Sequence, residues 1–306
     1  MRLTEVSGPG GPPERRVADS GLAGPAVPRK VLGERLRRLR EAQFISRQQA
    51  GEAIRACAVA IERLERGHTG CQERDVTDLL TIYGVTDEIE HATMRELAAQ
   101  ANLPGWWHAY ADVVPDWLHT YLGLEQAASV IRGYEVQFVP GLLQTPQYAR
   151  AVIELGHPGA SEAQLQRRVD FRIRRQRILY GRRPPHLWAV IDEAALRRPV
   201  GGPGTMRGQL RHLISVLDLP HVTVHVMPFE AGGHAAAGGP VTLLRLPQRE
   251  LPDVIYLEQL ISAAYPAERE DVEYYRHVID RLVTAAAPAA STPSILRGML
   301  ENSQVW

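Results

Sequence analysis

Arginine and amide side chains placed early in a pair of short helices can bond phosphates and base edges, and residues 45–67, ISRQQAGEAIRACAVAIERLERG, offer that arrangement. Ser46 reads as the N-cap of a first helix carrying Arg47 and Gln48, and a second helix runs through Ala58, Val59 and Arg63. Ala50 is small enough for a close helix crossing, while Ile54, Ile61 and Leu64 fall at spacings that point into a shared core. Gly67 stops the second helix. Two helices meeting at so tight a turn form a helix-turn-helix, in which the second helix enters the DNA major groove and the start of the first abuts the backbone. The candidate DNA contacts are therefore Arg47, Gln48, Ala58, Val59 and Arg63. Ala58 and Val59 can touch a thymine methyl but form no bidentate hydrogen bond, so Arg63 carries the polar readout, with Glu62 beside it set to repel phosphate. An ordinary helical bundle satisfies the same capping and periodicity.

The charge distribution agrees with a phosphate-facing surface. The chain has 35 basic and 35 acidic residues and no net charge, which argues against a polybasic binder. Residues 28–67, however, hold ten basic side chains against five acidic ones, with Arg37, Arg40 and Arg47 best placed for salt-sensitive phosphate contact. Internal Glu/Arg pairs on a solvated helix face are the alternative use of these charges.

A second set of candidates follows at once. Trp106, Trp107, Tyr110, Trp117 and Tyr121 crowd into LPGWWHAYADVVPDWLHTYLGLE, with Tyr134 on a nearby strand-like piece. Aromatics this dense either fill a domain junction or line a pocket for a flat or apolar ligand. Elsewhere the chemistry is thin. His221 and His225 share a strand face with Thr223 between them but have no third ligand, so no metal site is assigned. Asp192, Glu193, His186 and His234 could form an acid/base group, yet nothing in one dimension brings them together. No G-x-S-x-G, P-loop or G-x-G-x-x-G follows a strand, and GGPGTMRG is a flexible turn before a helix, so no catalytic residue and no cofactor are assigned.

The elements that must position these groups fall into two folded units. Residues 1–30, with five prolines and five glycines, read as a disordered leader without a signal peptide. Leu32, Leu36 and Leu39 before the motif, and Val76, Leu79, Leu80 and Tyr83 after it, close a small all-α domain over 31–102. Residues 103–287 read as α+β. YEVQFV is extended, a helix follows a Thr145 cap with Pro146 at its first position, and a basic helix near 162–180 carries a Leu165/Val169/Ile173 stripe. Strand-like runs then begin at His186, His221, Val241 and Asp253, and a helix near 268–287 leads through a linker to a short tail helix over 288–306. With no apolar run near the twenty residues that span a bilayer, and with Cys57 and Cys71 the only cysteines, the expectation is a soluble cytoplasmic protein with reduced thiols.

LGERLRRLREAQ followed by ISRQQAGEAI resembles the XRE (Cro/repressor-like) family of five-helix DNA-binding domains. PGWW, YLGLE, VPGLLQT.QYA, LW.V.DEAALRRPVGG and V.V.VMPF.AG.H are similar to the C-terminal domain that follows such a head in a family of actinobacterial, antitoxin-like regulators, often encoded beside a small partner protein. The resemblance implies an α+β chain: an all-α helix-turn-helix domain followed by a mixed α+β domain that senses a ligand or partner, or dimerises. Against the family pattern, Arg55 stands where the turn usually has glycine, so it must take a strained φ or reshape the turn. Cys57 replaces a Ser/Thr cap, and Ala58 and Val59 replace polar readers. Three readings stay open: a homodimeric regulator of double-stranded DNA, with half-sites about 34–36 Å apart; a protein that regulates by holding a partner protein; and a recruited binding protein or enzyme whose aromatic segment holds an apolar metabolite.

Overall fold

In the computed structural model the described residues are 24–248 and 251–302. The head consists of α1 (Ala26–Ala42), α2 (Arg47–Ala53), α3 (Ala58–Glu65), α4 (Glu73–Ile82) and α5 (Glu88–Ala101). Leu32, Leu36, Ala50, Ile61, Leu64, Val76, Leu79, Leu80 and Tyr83 are buried in one core, as their spacing predicts, with Met94, Ala98 and Ala101 closing it from α5. Of the segment expected as a leader over 1–30, the residues from Ala26 onward lie in α1. Helix α1 already begins at Ala26, because Pro28 lies in the first turn, where no N–H is required, and Ala26 and Pro28 are buried. The rest of the expected leader lies outside the described residues.

Ser46 caps α2 reciprocally: its Oγ accepts from the Gln49 N–H at 3.2 Å, while its own N–H donates to Gln49 Oε1 at 2.8 Å. The turn that follows accepts strain instead of reshaping. Arg55 sits at φ +57°, and Phe44, before α2, at φ +56° with its ring 96% exposed. Cys57 stands at the cap of α3 but makes no capping bond with its side chain.

A 3-10 turn over Trp106–Tyr110 and α6 (Asp116–Ala127) lead into the second unit. Its sheet is built from β1 (Val130–Glu135), β2 (His186–Asp192), β3 (Val222–Met227), β4 (Val241–Arg245), β5 (Val254–Glu258) and β6 (Ala263–Ala264) in the order β3-β2-β1-β4-β5-β6. β1, β2 and β3 are parallel, and β4, β5 and β6 add antiparallel neighbours on the other side of β1. The first strand is VIRGYE, so the extended piece expected at YEVQFV starts four residues earlier and stops at Glu135, before the Pro140-Gly141 turn.

Crossovers supply the helices: α7 (Pro146–Gly156) and α8 (Glu162–Arg175) between β1 and β2, then α9 (Glu193–Arg197) and α10 (Pro203–Val216) between β2 and β3. Thr145 caps α7, accepting from the Tyr148 N–H at 3.2 Å, with Pro146 in the first turn as expected. Strand alternation divides the side chains into two cores. Ile131, Leu187, Ala189, Ile191, Val224 and Leu244 face the layer containing α10, whereas Tyr134, Val190, Met227, Leu243 and Ile255 face α11 (Arg269–Ala285). The tail helix α12 (Thr292–Glu301) is no appendage. Leu296 and Met299 are buried in the first of these cores, and the Thr292 hydroxyl donates to the Val224 carbonyl at 2.6 Å.

Candidate functional site

On the head, the motif's polar groups divide between scaffold and surface. Glu65, at the end of α3 and 2% exposed in its side chain, accepts from Arg40 Nε at 2.5 Å and Nη2 at 3.1 Å, and from Arg47 Nε at 3.0 Å. Arg47 therefore locks the first helix to the second, while Gln48 donates to Glu52 at 3.1 Å on the exposed side. Ala58 is half-buried, Val59 is 61% exposed, and Arg63 is exposed and without a hydrogen bond or ion pair among the described residues. Arg37 is bonded to Glu41 and Arg38 to Glu34 along α1, so much of the basic excess is neutralised within its own helix.

The six aromatic candidates do not meet in one pocket. Trp106 and Tyr110 pack on Phe171 of α8, with centroids 5.5 and 5.7 Å away, and Trp107 is buried beside them. Trp117 and Tyr121 belong to the sheet core beneath α6, where Tyr121 stacks on Tyr256 at 4.0 Å. Tyr134 lies on the opposite face of the sheet. Strand alternation separates it from the rest, and of the two uses the sequence leaves open for these aromatics, the rings of the segment itself lie in packed cores. The arginines of α8 hold that junction. Arg167 bonds Asp112 at 2.5 Å and the Ala109 carbonyl, Arg168 bonds the Val113 carbonyl at 2.6 Å, and Arg174 lies 5.2 Å over Trp106.

Two polar groups collect instead at the carboxyl ends of β1, β2 and β5, the edge at which open α/β sheets bind ligands. On the α11 face, the Tyr134 hydroxyl donates to Asp192 Oδ2 at 2.9 Å and lies 3.0 Å from His234 Nε2. The Ala236 N–H donates to His234 Nδ1 at 3.3 Å, which fixes the Nε2–H tautomer as donor to the tyrosine oxygen. Asp192 Oδ1 is already used as the cap of α9. The chain is complete, so it latches the glycine-rich loop to the sheet instead of awaiting a substrate. His234 also lines a cleft of about 400 Å³ with His277, Asp280 and Arg281 of α11. The sequence names Asp192 and His234 but not Tyr134 as their bridge; the parallel β1/β2 register supplies that link.

On the other face, Glu135 ends β1 near Arg172, Arg175 and Glu258. Arg175 is engaged with Glu125 at 2.5 and 2.8 Å, Arg172 with Gln144 at 2.9 Å, and Glu258 accepts from the Tyr256 hydroxyl at 2.9 Å. No hydrogen bond among the described residues reaches the Glu135 carboxyl. Burial, reinforced by Glu258, pushes it up to about 8, and burial pulls Arg172 down to about 10. Sequence reasoning missed this group, because an acid ending a strand has no local signature.

His221 donates to or accepts nothing metal-like: its Nε2 lies 2.9 Å from the Leu179 carbonyl, and His225 Nδ1 is 3.0 Å from that of Ala287. No cluster of three metal-ligating side chains, and no helix long and apolar enough to cross a membrane, occurs among the described residues.

A family signature described as a helix-turn-helix domain matches residues 31–94, and one described as a domain of unknown function (DUF5753) matches residues 118–298. No curated protein and no solved structure matches the chain.

Proposed function

The chain belongs to the family defined by the C-terminal domain of unknown function DUF5753, here preceded by a helix-turn-helix domain, and on that premise we propose that it is a transcriptional regulator of double-stranded DNA. The outer face of α3 carries this reading: Arg63 is exposed and unpaired among the described residues, beside an exposed Val59, on a helix fixed at its far end by the Arg40–Glu65–Arg47 cluster. Arg63 reads a base edge, Ala58 and Val59 contribute apolar contact, and Gln48 with the outer part of Arg47 meets phosphate. So few polar readers give one head little affinity, so two copies act together on half-sites about 34–36 Å apart, paired through their C-terminal domains. The fully exposed Leu260 and Ile261 at the β5–β6 turn support an association surface there.

Fluorescence anisotropy with DNA selected by the purified protein at stated salt tests the proposal. Arg63→Ala is expected to cost about 1–3 kcal/mol and to relax preference at one base pair. A folded protein that retards no fragment at low salt overturns the DNA reading. Light scattering that returns a monomer with and without DNA overturns the pairing alone.

A further inference from the structure

Between the head and the C-terminal domain lies a half-enclosed cavity of about 80 Å³, walled by Arg29 of α1, Gly67 at the end of α3, Trp107 and His108 of the 3-10 turn, and His119 and Thr120 of α6. At roughly 10–15 Å³ per water, it has room for several waters or one small polyatomic ion. Each of its polar lining side chains, Arg29, Trp107, His108, His119 and Thr120, can donate a hydrogen bond, and none is a carboxylate. Two of these groups are buried and unsatisfied among the described residues: Nε1 of Trp107, a side chain only 1% exposed, and Nε2 of His119. An orphaned indole N–H is costly, and among the described residues this one has no acceptor.

The indole has little freedom to escape this arrangement. Its benzo edge fits where a Cβ on Gly24, Gly105 or Gly123 would collide with it. Arg29 adds an uncompensated charge. Its Nε donates to the Ala101 carbonyl at 2.8 Å, no carboxylate pairs with it among the described residues, and burial alone lowers its guanidinium from the usual range. His108 donates from Nδ1 to the Gly105 carbonyl at 3.0 Å, and its ring lies 5.3 Å from that of His119. His119 is held below its ordinary range by burial first and then by His108, against an opposing pull from Asp116, 3.9 Å from Nδ1, with Arg29 adding the smallest lowering.

We propose that this cavity binds a small oxyanion, tetrahedral like sulfate or phosphate or a short carboxylate, held by Arg29, the Trp107 N–H, the Thr120 hydroxyl and a protonated His119. An anion supplies the acceptor that both orphaned nitrogens lack and the negative charge that Arg29 lacks. Its negative charge also favours the protonated ring against the burial and the His108 repulsion that oppose it, so binding takes up a proton, with His119 Nδ1–H towards Asp116 and Nε2–H towards the anion. Because the walls come from α1, the end of α3 and α6, the site goes beyond the DNA-binding reading and joins the DNA-facing helix to the C-terminal domain.

The test is a titration of the full chain, without DNA, in low-salt buffer, reading the His108 and His119 ring resonances by NMR. Sulfate serves as the tetrahedral probe because its charge is constant over the range used, and acetate as the carboxylate probe. Saturable movement of both rings is expected, with affinity rising about fivefold or more as pH falls from about 7.5 to about 5.5. Arg29→Gln and Trp107→Phe should each weaken binding roughly tenfold, and Thr120→Val keeps the test open if either variant fails to fold. The relative response to the two probes assigns the ligand class. Rings unmoved by about 20 mM of either probe, or a response unchanged in the folded variants, overturns the proposal. Either result leaves the DNA-retardation experiment to be judged on its own.

Discussion

Glu65 in the head and Glu135 in the C-terminal domain are both acids set among arginines, and the two regions treat them oppositely. Glu65 accepts from Arg40 and Arg47, so each oxygen is bonded. Glu135 faces Arg172 and Arg175, but those guanidinium groups are committed to Gln144 and Glu125, and its carboxyl is left without a hydrogen bond among the described residues. A saturated buried acid fixes shape, because either protonation or removal of a partner strands a charge. An unsaturated one stores a response, since its proton can be exchanged for a ligand's donor or charge. The head therefore holds its buried acid in one bonded arrangement, whereas the acid at the end of β1 keeps an oxygen pair free to exchange protons.

The sharpest way to break this contrast is Glu65→Ala. It leaves Arg40, 8% exposed in its side chain, with only the half-exposed Glu41 at 3.4 Å as a carboxylate partner, and should destabilise the head by about 3 kcal/mol in urea unfolding. A loss below about 1 kcal/mol would place Glu65 among ordinary surface ion pairs. The counterpart in the other region is Glu135→Gln. The folded acid binds its proton up to about 8, whereas the unfolded one releases it near the ordinary carboxylate value of about 4.3. Between those values the folded state holds more protons, so stability contributed at this site falls as pH rises and the cost is complete above about 8. The variant should flatten that slope and be more stable than the parent near pH 8 by up to about 4–5 kcal/mol, measured by urea midpoints across pH. Parallel pH curves for the two proteins would remove Glu135 from the argument.

The smallest effect expected is at the turn of the head. Arg55→Gly relieves a left-handed φ of +57° but gives the unfolded chain more freedom, so the net gain should be about 0.5–1 kcal/mol, read as a rise of a few degrees in melting temperature. A fall in melting temperature would mean that the Arg55 side chain contributes more than its backbone costs.

The head was legible in the sequence because every signal in it is local. Caps, a heptad-like leucine stripe and a stop glycine lie within a few residues of the positions they govern, and even the conflict at Arg55 was visible as a choice between strain and reshaping. What periodicity could not disclose was the partner of Arg47, a glutamate eighteen residues away through which it also clamps the first helix to the second. The C-terminal strands were legible as alternating runs, but their order was not. The Tyr134–Asp192–His234 chain spans 58 and 100 residues of sequence and depends on a parallel pairing that hydrophobic pattern alone does not choose. The aromatic segment shows the same limit: its density in sequence left junction core and ligand pocket both open, and two sides of a sheet plus a helix junction divide the rings among three cores.

The burial of α12 has a consequence for synthesis on the ribosome. The head's core closes among residues 32–101, so this unit can fold soon after it emerges. The sheet core of the C-terminal domain draws on Ala26 near one extreme of the described chain and Leu296 and Met299 near the other, and cannot be completed until those last side chains have left the exit tunnel. At about 5–20 residues per second, the DNA-facing unit waits some ten to forty seconds beside an open sheet whose β3 carbonyl at Val224 has yet to receive the Thr292 hydroxyl. During that interval the nascent chain exposes an apolar face without the helix that covers it, so docking of α12 is the step that removes this aggregation-prone surface.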